Sequence, residues 1–225
     1  MLQMDFITLF PDMISALLGE SIIARGAKRG HLCVRTHQIR DFTQNKQKQV
    51  DDYPYGGGQG MVMMADPLFR CHEYVRETHG PGHTILLSPQ GRVFRQSRAK
   101  ELAEIPHLIF VCGRYEGVDE RFIEACVDEE ISLGDFVMTG GEIAACAVAD
   151  ATARLIPGVL AEEASFEDES HWSGLLEYPQ YTRPEVWNGL SVPQVLLSGN
   201  HAGIREWRRE QSEKRTREKR PDMLG

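Results

Sequence analysis

Three glycine-bearing corners are the parts of the sequence best suited to bind a ligand. Each follows a short apolar run, and they occupy residues 86–91, 110–120 and 131–142. Because glycine has no β-carbon, main-chain groups at such corners can approach a bound molecule closely. If the apolar runs are parallel strands, their carboxyl ends bring the corners into one crevice. A single corner is equally typical of an ordinary tight turn, so only the three together indicate a binding site.

The sequence lacks the motifs that are typical of nucleotide binding and of metal binding. Neither a GxGxxG dinucleotide fingerprint nor a Walker A motif is present, which disfavours NAD or ATP as the ligand. The 5 cysteines form no CxxC pair, and no cysteine or histidine cluster has zinc-ligand spacing. An odd, scattered set of cysteines predicts free thiols in a reducing compartment. No local carboxylate spacing indicates a metal site, so the sequence leaves the metal ligands unknown.

The elements that would position these corners alternate between strand and helix patterns. Strands are predicted at 2–9, 31–39, 83–87, 108–112 and 130–133, and helices at 11–18, 20–28, 66–78, 94–103, 118–125 and 141–155. This alternation is typical of βαβ units and predicts an α/β fold, with a mostly parallel sheet and helices on both faces. Residues 40–60 are polar and glycine-dense, and we expect a loop there.

The alternation ends near Pro157 and Gly158, which divides the predicted chain. Residues 1–160 form the α/β domain, and the acidic stretch 161–171 predicts a flexible linker because it has no sustained periodicity. Residues 172–225 form a small, mainly helical domain that closes with a helix over 202–219. That helix is rich in Lys and Arg, so a local basic surface is available although the net charge is −8. A solvated helix with i,i+4 ion pairs would have the same composition.

The sequence also predicts the cellular compartment of the protein. The first residues lack the basic start and long apolar region of a signal peptide, and no apolar run approaches the length of a membrane span. We therefore expect a cytoplasmic protein with no membrane partner.

Five motifs together resemble the bacterial tRNA (guanine-N1)-methyltransferases, which modify guanine at tRNA position 37. The matching segments read DDYPYGGGQGMV (51–62), SPQG (88–91), CGRYEGVDER (112–121), SLGDFVMTGGE (132–142) and GLLEYPQYTRP (174–184). The resemblance runs from the Phe10-Pro11 start to the basic tail, at spacing typical of the family. It implies a SPOUT-type fold with a trefoil knot formed around residues 85–142, although unknotted connections are the ordinary expectation.

The resemblance implies that the glycine corners bind S-adenosylmethionine, which brings both the methyl group and its leaving group. The residues carried over to this cradle are Leu87, Ser88, Gly113, Tyr115, Glu116, Leu133, Gly134, Asp135, Phe136, Val137, Met138, Gly140 and Gly141. Assistance by Mg²⁺ is also implied, with Glu116 and Asp135 as candidate carboxylates. Arginine and carboxylate groups would act across the interface of a homodimer.

Catalysis requires a base, because guanine N1 is protonated at neutral pH and becomes a good nucleophile only when that proton leaves. The family places an aspartate five residues before the glycine of its Gly-Leu-Leu motif, and Glu169 stands at that position here. Glutamate keeps the carboxylate on a longer arm; Asp168, one residue away, is the second candidate, and Glu169 is preferred. Arg154 matches the arginine that would stabilise negative charge on O6. An arginine at a helix end also offsets the helix dipole, and the sequence does not separate these roles.

The implied partners are tRNA and a second copy of the chain. Basic residues available for phosphate contacts are Arg183, Arg208, Arg209, Lys214, Arg215 and Arg217, and Lys46 and Lys48 are further candidates. Two alternatives stay open: methylation of a ribose 2′-hydroxyl in the same fold, and RNA binding without catalysis.

Overall fold

Apolar strands in the first part of the chain pair into one parallel sheet. The computed structural model describes residues 1–160 and 169–224, and the chain divides into two units, Met1–Ala161 and Glu162–Gly225. The strands of the first unit are β1 (Leu2–Thr8), β2 (Leu32–Gln38), β3 (Asp51–Asp52), β4 (Val62–Met63), β5 (His83–Val93), β6 (His107–Cys112) and β7 (Glu129–Ser132). The main sheet has the order β2-β1-β6-β5-β7 with every pair parallel, whereas β3 and β4 pair antiparallel.

Helices cover both faces of this sheet. They are α1 (Pro11–Leu18), α2 (Ser21–Lys28), α3 (Ala65–His79), α4 (Gln96–Ala103), α5 (Glu120–Cys126) and α6 (Glu142–Ala153). One apolar cluster joins Phe6 and Phe110 to α1, α2, α4 and α6, and a second joins Ile7 and Val111 to α3 and α5. Successive side chains of a strand point to opposite faces, which explains why neighbours enter different clusters. The predicted parallel α/β fold is confirmed, while the trefoil knot stays a prediction.

Two elements differ from their predicted bounds for local reasons. Strand β5 does not end at residue 87 but continues to Val93, because Leu87 and Arg92 both pair with Ile131 of β7. The 88–91 corner is therefore an interruption within a strand rather than a turn into a helix. Helix α3 begins at Ala65, so Asp66 lies in its first turn and pairs with Arg70, with 2.9 Å between carboxylate oxygen and Nε.

The second unit contains a short hairpin and two helices. Strands β8 (Val186–Trp187) and β9 (Leu190–Ser191) are antiparallel, and α7 (Gln194–Leu197) precedes α8 (His201–Lys219) and a 3₁₀ turn at Pro221–Leu224. The buried hydroxyl of Thr216 accepts the N–H of Leu176 at 2.8 Å, which fixes the Gly-Leu-Leu segment against α8. The predicted linker over 161–171 falls largely outside the described residues, so the domain boundaries stay a prediction. None of the helices in the described ranges is long and apolar enough to cross a membrane.

A buried carboxylate crosslinks three strands at the core of the sheet. Asp5 of β1 is fully buried and accepts hydrogen bonds from Arg35 (2.6 and 2.9 Å), His37 (2.6 Å) and His107 (2.8 Å). Burial alone would raise the pKa of the Asp5 carboxyl, but these hydrogen bonds outweigh it and hold the pKa far below its usual range. Because the partners lie on β2 and β6, the network links three neighbouring strands of the sheet through one carboxylate.

Asp5→Asn should lower the free energy of unfolding at pH 7 by about 3–5 kcal/mol, because Arg35 is left without its charge partner. The folded pKa lies below the unfolded value of about 4, so the stabilisation is complete above that pH and is lost as the pH falls. Urea denaturation at pH 7 and at successively lower pH measures both effects. The control is Asp41→Asn, whose ion pair with Lys48 is exposed and is worth about 1 kcal/mol or less. Equal losses for the two variants would contradict the prediction.

Candidate cofactor-binding site

The three glycine corners meet around β5, β6 and β7, which are neighbours in the sheet. Two of them follow the carboxyl ends of β6 and β7, whereas the third, at 86–91, lies at the interruption within β5. Together the corners line a cavity of about 330 Å³, with walls drawn from 86–90, 113–118 and 131–141. Its volume is in the range of about 300–1,000 Å³ that is usual for small-molecule sites.

Most of the residues that the sequence analysis assigned to a cofactor cradle lie in this wall. The lining includes Leu87, Ser88, Gly113, Tyr115, Glu116, Leu133, Phe136, Val137, Met138, Gly140 and Gly141. Gly134 and Asp135 belong to the same described loop but are not among the lining residues. Contact with a cofactor stays a prediction for all of these positions.

The corner after β6 is held in an unusual conformation. Tyr115 has a φ of 59°, in the left-handed region that non-glycine residues rarely adopt. The N–H of Glu116 donates to the carbonyl of Met61 at 2.9 Å, and the N–H of Met63 donates to Gly117 at 2.9 Å. The end of the DDYPYGGGQGMV motif and the residue that follows it therefore hold the corner through main-chain hydrogen bonds, although the two motifs are far apart in sequence.

Glycine at position 141 is required by the close approach of α6 to β6. A β-carbon there would lie 2.9 Å from Cα of Cys112, and the N–H of Gly141 donates to the carbonyl of Gly113 at 2.8 Å. Gly113 itself has room, because the nearest atom to a β-carbon would be 3.6 Å away. Burial raises the pKa of the Cys112 thiol, and the nearby Glu142 carboxylate adds to this.

Arg114 and Glu142 are functional candidates that the sequence analysis did not single out. Arg114 lines the cavity, and its Nε donates to the buried Glu142 carboxylate at 2.9 Å. Both residues stand inside motifs that were recognised, CGRYEG and TGGE. No spacing rule joins residues 28 positions apart, so the pair emerges only from the fold.

Among the predicted catalytic residues, Arg154 does not lie at the cavity of its own chain. Arg154 is the C-terminal cap of α6, and it does not line the cavity, which the opposite end of that helix adjoins. At 1.5 Å per residue, the 12-residue helix separates Arg154 from Glu142 by about 18 Å. Glu169 belongs to the second unit, and Asp168 lies outside the described residues. Within one chain, Arg154 and the cavity are not brought together.

The described residues do not fit a preformed magnesium site. Their one group of three converging metal-binding side chains is Asp5, His37 and His79, and two of its ligand atoms are nitrogens. Mg²⁺ prefers oxygen, and both oxygens of Asp5 already accept hydrogen bonds from Arg35. Asp135 does not line the cavity beside Glu116. No catalytic step is therefore assigned to a metal, and Mg²⁺ stays a prediction of the resemblance.

Comparison with known proteins decides the family. A family model described as tRNA (guanine-1)-methyltransferase TrmD matches residues 2–225. The chain belongs to the tRNA (guanine-1)-methyltransferase family. The resemblance indicated by the motifs is thus confirmed, and so is the prediction that the chain is a methyltransferase enzyme.

Individual relatives of this family member are similar over nearly their whole length. The proteins named tRNA (guanine-N(1)-)-methyltransferase from Ruminiclostridium cellulolyticum and Alkaliphilus metalliredigens are 53% and 52% identical to it over 224 and 226 residues. These alignments cover 99% of this chain and 96% and 92% of the relatives. The protein of the same name from Dehalococcoides mccartyi is 53% identical over 224 residues, which are 99% of this chain and 90% of the relative.

Gly141→Ala in this tRNA (guanine-1)-methyltransferase should destabilise the ligand-free protein, because the added methyl group overlaps the main chain of Cys112. Overpacking of this kind costs about 1–3 kcal/mol, and each kcal/mol lowers the melting temperature by about 2–4 °C in a chain of this size. Gly113→Ala is the matched control, since that site has room, and its melting temperature should stay close to that of the wild type. Similar melting temperatures for both variants would show that the contact at position 141 is not tight.

Proposed function

We propose that this protein transfers a methyl group from S-adenosylmethionine to N1 of guanine 37 in tRNA, and that it works as a homodimer. The observation that supports the proposal best is the cavity formed by three glycine corners of a family member. The finer points, which are the donor, position 37 and the residue roles, rest on the motifs and on the chemistry that those residues can perform. Since tRNA is the substrate, the proposal implies a cytoplasmic location.

The cavity suits a donor that needs orientation more than activation. S-adenosylmethionine supplies an electrophilic methyl group on a sulfonium that leaves as a neutral thioether. The chain's part is to hold that group in line with the guanine, which can replace an effective concentration on the order of 10⁵–10⁸ M. Apolar side chains of Leu87, Ile131, Leu133 and Met138 line the cavity together with the main chain of the glycine corners. We assign the apolar side chains to the flat faces of the adenine. The main-chain groups of the glycine corners are assigned to its polar edges and to the ribose.

The proton on guanine N1 must leave before the methyl group can be transferred. We assign this step to the carboxylate of Glu169, with Asp168 as the second candidate. A positioned general base contributes about 10²–10⁴-fold to the rate. As the proton departs, negative charge develops on O6, and the guanidinium of Arg154 is assigned to stabilise it.

The distance between Arg154 and the cavity supports a shared active site. If Arg154 acts on the substrate, a second chain must bring its own Arg154 to the cavity of the first. Exposed apolar side chains are available for this contact: Leu17 of α1 and Ile143 of α6 are 54% and 53% exposed, and Phe10, just before α1, is also exposed. We assign these side chains to the contact with the second chain, because burial of exposed apolar surface favours protein–protein association.

Helix α8 offers the positive charge that tRNA phosphates require. Lys214 and Arg217 are exposed on this helix, and Arg183 is exposed before it. Other basic residues are engaged within the unit: the guanidinium of Arg208 lies 4.5 Å above the Tyr178 ring, and Arg209 pairs with Glu213 at 3.0 Å. We therefore assign the strongest phosphate contacts to the first group.

Purified protein should transfer labelled methyl groups from S-adenosylmethionine to a tRNA transcript with guanine at position 37. Transfer should fall to background when the same transcript carries adenine there, because adenine N1 has no proton for the base to remove, and an N6 amino group replaces the O6 that the arginine would stabilise. Nucleoside analysis of the product should give 1-methylguanosine. A 2′-O-methylated nucleoside would favour the ribose alternative, and tRNA binding without methyl transfer would favour the non-catalytic one.

Glu169→Gln should lower the turnover number by about 10²–10⁴-fold, because the amide cannot take the proton. The dissociation constant for S-adenosylmethionine, measured by calorimetry, should stay close to that of the wild type. Asp168→Asn serves as the matched control and should retain most of the activity. The reverse pattern would transfer the role of base to Asp168.

The same variant tests the shared site. Subunits that carry Glu169→Gln are mixed with subunits that carry Gly140→Val, in which the added side chain displaces Arg114 and distorts the cavity wall, after sedimentation has shown that both variants form dimers. Activity should return, because each mixed dimer holds one site with an intact cavity and an intact base. Inactive mixed dimers would contradict an active site built from two chains.

A further inference from the structure

Glu142 is a fully buried carboxylate at the edge of the cofactor cavity. It is the first residue of α6 and has no exposed surface. A buried charge is costly unless it is paired and hydrogen-bonded. Thr8, at the end of β1, donates its hydroxyl to Oε1 at 2.8 Å, and Arg114, just after β6, donates Nε to Oε2 at 2.9 Å. One carboxylate therefore joins two strand ends to the start of a helix.

Arg114 connects the Glu142 carboxylate to the main chain of the cavity wall. Its Nη1 donates to the carbonyl of Thr139 at 3.0 Å, and its guanidinium lies 4.4 Å from the centre of the Phe10 ring. The same side chain fills the space that a β-carbon at Gly140 would need. Thr139, Gly140 and Gly141 all line the cavity, so the position of Arg114 determines the path of the main chain there.

We propose that Glu142 is a positioning residue for the cofactor: it holds the guanidinium of Arg114, and Arg114 fixes the main chain of Thr139, Gly140 and Gly141 as one wall of the cavity. This inference rests on the proposed function of the cavity. Neither Glu142 nor Thr8 lines the cavity, and we assign their effect on a ligand to the hydrogen bond between Glu142 and Arg114, which does line it. It also assigns the need for glycine at position 140 to Arg114 rather than to direct contact with the cofactor.

Loss of the charge at position 142 has a specific expected consequence. In Glu142→Gln the amide either directs its NH₂ group at Arg114 or turns its oxygen there without the ionic attraction. In both cases Arg114 is held less firmly, and the carbonyl of Thr139 loses a fixed donor. Affinity for the cofactor should fall although no group that touches the cofactor has been changed.

The test measures binding of S-adenosylmethionine by calorimetry at a temperature well below the melting point of every variant. Glu142→Gln should raise the dissociation constant about tenfold, as expected for residues coupled through direct contact. The matched control is Glu129→Gln, which breaks a comparable pair with Arg98 (2.6 Å) and His83 (2.8 Å) outside the cavity lining. Its dissociation constant should stay within about twofold of the wild type, whatever its loss of stability.

A double-mutant cycle separates positioning from general destabilisation. Glu142→Gln added to Arg114→Gln should weaken binding no further than Arg114→Gln alone, because Glu142 acts through that side chain. Additive effects, or unchanged affinity in Glu142→Gln, would overturn the inference while the proposed function stands. If the wild-type protein does not bind S-adenosylmethionine, both fail. Should Glu142→Gln not fold, Thr8→Val replaces it, and a rise of about threefold in the dissociation constant is expected.

Discussion

The cavity depends on the contact between the start of α6 and the end of β6. There the main chain of Gly141 lies against Cys112, so two segments touch without any side chain between them. This contact requires glycine, and it requires that the buried charge of Glu142 be neutralised where the helix begins. If α6 stood farther from the sheet, the wall formed by residues 139–141 would move with it. The shape of the cavity is thus set by backbone packing together with the buried pair of Glu142 and Arg114.

Only one end of helix α6 lies at the cavity. Its N-terminal end adjoins the cavity, while its C-terminal end presents Arg154 well away from it. A side chain proposed to stabilise the reacting base is therefore remote from the donor cavity of its own chain. In the proposed dimer a second chain would complete the site, and the exposed side chains of Leu17 and Ile143 are available for the contact. Catalysis would then depend on protein concentration as well as on the fold of each subunit.

Local patterns in the sequence were sufficient for most of the fold. Period-two and helical apolar patterns predicted each strand of the main sheet, and the helix bounds agree to within a few residues. The continuation of β5 to Val93 was not predictable, because it depends on a second pairing with Ile131 of β7 rather than on the residues of β5 themselves. The buried network of Asp5 was missed for a similar reason, since its partners come from other strands.

For the candidate site, the sequence predicted which corners meet but not what holds them in place. The glycine positions can be predicted because they stand in local sequence motifs. The pair of Arg114 and Glu142 cannot, because it forms only when the fold brings two distant motifs together. The distance from Arg154 to the cavity could not be read from residue types either, because it depends on which end of α6 faces the sheet edge. The base was open for a different reason, because Glu169 stands where the family has an aspartate and the neighbouring Asp168 carries the same acidic group.

The thiol of Cys112 lies beneath the cavity and is completely enclosed by the core. Burial raises the pKa of this thiol, which disfavours the thiolate, and thiolates are the species that react with electrophiles and peroxides. A sulfur atom one residue from a cavity wall would ordinarily make that wall vulnerable to oxidative damage. Here the packing that shapes the cavity also encloses this sulfur, so Cys112 is a poor target for electrophiles and peroxides.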